Sequence, residues 1–109
     1  MAKETSREVT LVAEAILREL EGWRGGRKAN ASSMLRRLLD DDGTALSEEE
    51  RAVAIEIWND GMSMMFELEA ALHRLAPEHG LELDKSASKG MRLGLPFHID
   101  FVVRHTKTA

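Results

Sequence analysis

The chain has 109 residues, 43% hydrophobic and 31% charged, with 15 Lys/Arg against 19 Asp/Glu and a formal net charge of −4. That reads as one soluble globular domain, residues 1–109, long enough to bury a single modest core. The absence of cysteine excludes a disulfide framework, a thiolate metal site and a cysteine nucleophile, and no apolar run reaches the roughly 18 residues of a membrane span.

A first helix is expected over residues 6–21, where Val9, Val12, Ala13, Ile16, Leu17 and Leu20 recur at helical spacing. Within it the stretch VTLVAEAIL is broken by Glu14 and has no basic leader. This argues against a secretory signal, so the expected address is cytoplasmic. GWRGGRKAN, with three glycines in five residues, reads as a loop. A second helix follows over 31–40, with Met34, Leu35, Leu38 and Leu39 as its apolar side. The longest is expected over 47–76: Ser47 and Glu50 make a capping-box pattern, and Pro77 disfavours helix at the residue before it. Gly61 inside that run costs about 1 kcal/mol against alanine and marks either a bend or a closely packed neighbour.

After Gly80 the period changes to two. Strands are expected at 81–84, 91–95 and 97–105. Leu93, Leu95, Phe97, Ile99, Phe101 and Val103 share one face, with Arg92, His98, Asp100 and Arg104 on the other. Gly94 and Pro96 divide the last stretch in two. The expected fold class is α+β, three helices followed by a small antiparallel hairpin or sheet. A hairpin is marginal alone and must pack on the helices or on another copy.

Several residue groups suggest chemistry. LLDDDGTALSEEE resembles a calcium loop, which needs ligands at positions 1, 3, 5 and 12 around a glycine at 6. With Gly43 at position 6, Asp42, Asp40 and Glu49 fall at ligand positions, but Leu38 occupies the first. The stretch therefore reads as a helix stop at Gly43 and a helix start at Ser47, and no metal or cofactor is expected. His98, Asp100 and His105 contain the residue types of a two-histidine, one-carboxylate site, but His105 falls on the opposite strand face. Glu69 and His73 are spaced i,i+4 and can pair, with Arg51 on the same face. Such a pair serves either as a satisfied core contact or as a base in a pocket. WRGGRK, extended by Arg36 and Arg37, has the ingredients of a nucleic-acid contact, which the overall acidity opposes.

The charge distribution is the strongest signal. Residues 40–69 hold ten acids against Arg51 alone, between two mildly basic flanks. On a wheel at about 100° per residue, Glu49, Glu56, Asp60 and Glu67 fall within about 40° of one another. The opposite half carries Ile57, Trp58, Met62, Met65, Leu68 and Leu72. The leading expectation is a small non-enzymatic protein-binding module, of inhibitor or immunity type, presenting this face to a basic target. Its expected contacts are Asp40, Asp41, Asp42, Glu49, Glu56, Asp60 and Glu67. Met64 and Phe66, in the Met-rich MSMMF stretch, are expected at an interface, most simply a homodimer. The alternative is a small enzyme or ligand-binding domain using Glu69, His73 and His98 in a pocket between helix and sheet.

Overall fold

Helix α1, Arg7–Glu21, forms where apolar residues recur every three or four positions. Val9, Val12, Ala13, Ile16, Leu17 and Leu20 are all fully buried. The computed structural model describes residues 7–23, 28–40, 46–84 and 100–106. After α1 come a two-residue strand β1, Lys28–Ala29, and helix α2, Ala31–Asp40. Asn30 starts α2: its Oδ1 accepts from the Ser33 N–H at 2.8 Å and its carbonyl from the Met34 N–H at 3.0 Å. Met34, Leu35 and Leu38 are buried and Leu39 is half-buried, as their spacing implies.

The helix expected over 47–76 is two helices, α3 at Glu48–Asp60 and α4 at Ser63–Leu75. A straight helix of that length would measure roughly 45 Å, whereas the body extends only 33 × 32 × 31 Å. The chain stops at Gly61, whose φ of 75° is left-handed and whose N–H caps the helix on the Ile57 carbonyl. A Cβ at Gly61 would meet nothing within 4 Å, so backbone conformation, not crowding, accounts for the glycine. Asp60 then opens α4, its Oδ2 accepting from the Met64 N–H at 2.8 Å and the Ser63 hydroxyl at 3.1 Å.

The start of α3 forms as its sequence requires. Ser47 Oγ accepts from the Glu50 N–H at 3.1 Å, and Glu50 Oε1 accepts from the Ser47 N–H at 2.9 Å. At the far end, Ala76–His79 form a 3-10 turn containing Pro77, one residue from where that proline was expected to end the helix.

Strands β2, Leu81–Asp84, and β3, Phe101–His105, complete a three-stranded antiparallel sheet ordered β1-β3-β2. Lys28 pairs with Val102 on one side of β3, and Leu81 with His105 on the other. Phe101 and Val103 are fully buried with Leu81, Leu83 and Ala29 beside them in the core, as the period of two implies for this strand. The strand expected over 91–95, and positions 97–99 of the next, lie outside the described residues. β1 arises within what reads as a loop; two residues are too few for a periodicity signal. The α+β class is the observed one, with four helices among the described residues.

Gly61→Ala is expected to destabilise the protein by about 1–2 kcal/mol, the cost of a Cβ at left-handed φ, read as a lower midpoint in chemical denaturation. A residue inside a continuous helix would instead gain about 1 kcal/mol from the same change, so the sign of the shift tests the break.

Candidate functional site

Of the ten acids of the central block, eight lie among the described residues, and several of these are bound by the chain itself. Glu50 is bound by its own cap and by Arg18, whose Nη2 lies 3.1 Å from Oε2. Burial works against its charged form, but the Ser47 backbone N–H and the Arg18 guanidinium outweigh this and hold its carboxyl below the ordinary 4.5. Asp60 is held below 3.8, first by the Met64 backbone N–H and then by Ser63 and Met62. Asp40 pairs with Arg36 at 3.5 Å across one helical turn. Asp41 and Asp42 lie outside the described residues.

Because α3 ends at Asp60, the carboxylate line expected along one helix is interrupted. Glu67 sits half-buried on α4, on a separate axis from Glu49 and Glu56. Met62, expected on the core side, lies in the break between the two helices and is 57% exposed; Trp58, expected there too, is 41% exposed on α3.

Glu48, Glu49 and Glu56 remain exposed on α3 without an ion pair among the described residues. Glu49 and Glu56 line an open groove of about 460 Å³ with Glu8 of α1, over Ala52, Val53 and Ile55. A neighbouring depression of about 350 Å³ shares Glu8, Glu49 and Val53 and adds Arg7 and Leu11. Ile55 is 46% exposed. Glu8 was not among the expected contacts; only its position on a second helix brings it here, and wheel spacing within α3 carries no sign of it. Of the expected interface residues, Phe66 is 39% exposed and Met64 is partly buried against the core.

Three described arginines of the first third, Arg18, Arg36 and Arg37, are used internally. Arg37 sits 3.3 Å from Glu19 and 5.6 Å above the ring of half-buried Trp23, and the Trp23 indole N–H donates to Glu19 at 3.4 Å. Residues 24–27 of WRGGRK lie outside the described residues. Arg51 donates to the Leu39 carbonyl at 3.0 Å, where a cation suits the C-terminal end of α2.

Glu69 and His73 meet as their spacing predicts, with Oε1 and Nε2 2.9 Å apart. Glu69 is only 3% exposed, and its Oε2 has no hydrogen-bond partner among the described residues. The His73 ring stands nearly perpendicular to Phe101, centroids 5.7 Å apart. It lines a crevice of about 210 Å³ with Ala76, Pro77, Leu81 and Leu83, completed by the exposed Glu82 and Thr106. His98 lies outside the described residues.

The other two members of the histidine–carboxylate group are engaged elsewhere. Asp100 accepts from the Asn30 side chain at 2.9 Å. His105 Nε2 lies 3.3 Å from the Glu21 carbonyl, and His79 Nδ1 contacts the Glu21 carboxylate. Both tie the end of α1 to the sheet side of the fold. Among the described residues no three potential ligands gather to hold a metal ion. Leu38, the residue at the first position of the calcium pattern, is 2% exposed and part of the core. No described helix is long and apolar enough to cross a membrane.

Set against known proteins, the chain matches no family model, no curated protein and no solved structure.

The folded state holds Glu50 and Asp60 ionised more firmly than the unfolded chain does, so their contribution is present above about pH 4.5 and lost as pH falls through the lowered values. Melting temperature should therefore drop on acidification from pH 5 to pH 3. In Glu50→Gln it should start lower at neutral pH and drop less steeply. A variant slope equal to that of the parent would remove Glu50 from the acid response.

Proposed function

We propose that the chain is a small protein-binding module that docks a basic surface of another protein against the acidic groove between α1 and α3. The observation that carries this reading is a row of exposed carboxylates, Glu8, Glu49 and Glu56, beside apolar Val53 and Ile55, with no internal ion pair among the described residues. Held like charges cost stability unless a partner or solvent screens them. Among the described residues Arg18, Arg37 and Arg36 pair elsewhere, with Glu50, Glu19 and Asp40. Charge steers encounter and selects partners more than it adds affinity; Ile55 supplies apolar area to be covered on docking.

Within the contact set read from sequence, Glu49 and Glu56 are the principal contacts. Glu67, on α4, is retained as a further contact from the sequence set, and Asp41 and Asp42 of that set lie outside the described residues. Asp40 and Asp60 contribute less, because their charges already serve Arg36 and the start of α4. An inhibitor or immunity-type role in the cytoplasm, in which the carboxylates stand in for nucleic-acid phosphates, is the most specific form of the proposal. Self-association through Phe66 is a separate reading, favoured by the exposure of Trp58, Met62 and Phe66 around the α3–α4 junction.

Affinity capture from the native host with mass spectrometry tests the docking reading. A basic protein should be retained at low salt by the parent chain and by a Glu78→Lys/Glu82→Lys control. It should be lost, by about tenfold or more, with Glu49→Lys/Glu56→Lys. Equal capture by both double variants would rule the groove out. Light scattering of the parent against Phe66→Ser reads the self-association: a dimer that becomes a monomer supports it, and a monomeric parent ends it.

A further inference from the structure

The α1/α3 groove makes no use of the one charged side chain that is buried among the described residues. Glu69 is 3% exposed, one carboxylate oxygen faces His73 and the other has no partner among the described residues. Buried carboxylates are retained in cores where they position another group or carry chemistry. The group positioned here is His73. A carboxylate only accepts hydrogen bonds, so in the neutral imidazole the hydrogen sits on Nε2, facing Glu69, and Nδ1 keeps its lone pair. The edge-on contact with Phe101 holds the ring from a second side. Among the described residues Nδ1 makes no hydrogen bond, and it is the polar ring atom His73 has left to offer the crevice it lines.

The crevice constrains what it can take. Its volume of about 210 Å³ is below the roughly 300–1,000 Å³ of sites for drug-sized ligands, so a single ring or a short chain fits. Ala76, Pro77, Leu81 and Leu83 supply its apolar part, beside a somewhat larger polar surface. The described acids near it, Glu69 paired with the ring and Glu82 at the crevice, disfavour an anionic guest. We propose that this crevice is a binding site for a small, uncharged, largely apolar molecule bearing one hydroxyl donor, of the phenol type. The hydroxyl donates to His73 Nδ1, and Glu69 is a positioning residue that fixes the imidazole tautomer. The site is independent of the acidic groove and uses no residue of it.

Phenol and anisole, which share a ring but differ in the hydroxyl hydrogen, are the probes. With histidine ring nitrogens labelled, phenol should bind saturably and shift the His73 Nδ1 resonance, with a several-fold lower Kd than anisole, the size of effect expected when one hydrogen bond is lost. His73→Phe should bind the two equally. Glu69→Gln should weaken phenol several-fold and leave anisole unchanged, a difference that loss of packing alone does not produce. No saturable phenol binding, equal affinity of the parent for both probes, or shifts confined to residues away from the crevice would overturn the proposal. The probe comparison is made on the parent protein, so it stands even where a variant folds poorly.

Discussion

The turn at Gly61 governs how the rest of the molecule is arranged. A body a little over 30 Å across has no room for thirty residues of straight helix, so the chain ends one helix and begins another. Two side-chain features make the break sharp: a glycine in left-handed backbone and an aspartate that bonds the first free N–H groups of α4. With α3 and α4 separate, both can lie against α1, whose apolar stripe is completely enclosed. The same turn determines which side chains of the central segment are enclosed and which face water.

Charge is sorted by the same geometry. Arginines on α1 and α2 reach carboxylates on neighbouring elements: Arg18 to Glu50 and Arg37 to Glu19. Exposed pairs of this kind contribute little each, on the order of 0–1 kcal/mol. Their larger effect is on the remaining surface, where they leave α3 with carboxylates that no arginine of the described chain offsets. Asp60, which reads from sequence as surface charge, opens a helix, as Glu50 does through the capping box that its spacing predicted. An acidic count therefore overstates the face available to a partner, and Glu8 from α1 partly makes up for it.

Much of the architecture was legible in residue spacing, because helix and strand periods report which side of an element meets the core. The stripe of α1, the extent of α2, the Ser47–Glu50 box and the inward positions Phe101 and Val103 all follow from local pattern. The Glu69–His73 contact follows from i,i+4 geometry for the same reason. What local pattern did not carry was whether Gly61 bends a helix or ends it, since that depends on the length available in three dimensions. Exposure of Met62 follows from that break, in which it lies. Glu8 beside Glu49, and Arg51 on the Leu39 carbonyl, depend on packing between helices far apart in sequence, which no periodicity records.

The order of the sheet has a consequence for how the protein comes to be made. Its central strand, β3, is the last of the three in the chain, and its partners in β1 lie some seventy residues earlier. A nascent chain therefore holds all four helices and both outer strands before the segment that joins those strands has been synthesised. Among the described residues β3 is the strand that both β1 and β2 pair with, and it brings Phe101 and Val103 into the core. Closing a loop that long carries an entropic cost that is met only when those side chains enter the core. The sheet is thus complete only once β3 has been made, and strand edges left unpaired before then are open to wrong pairing.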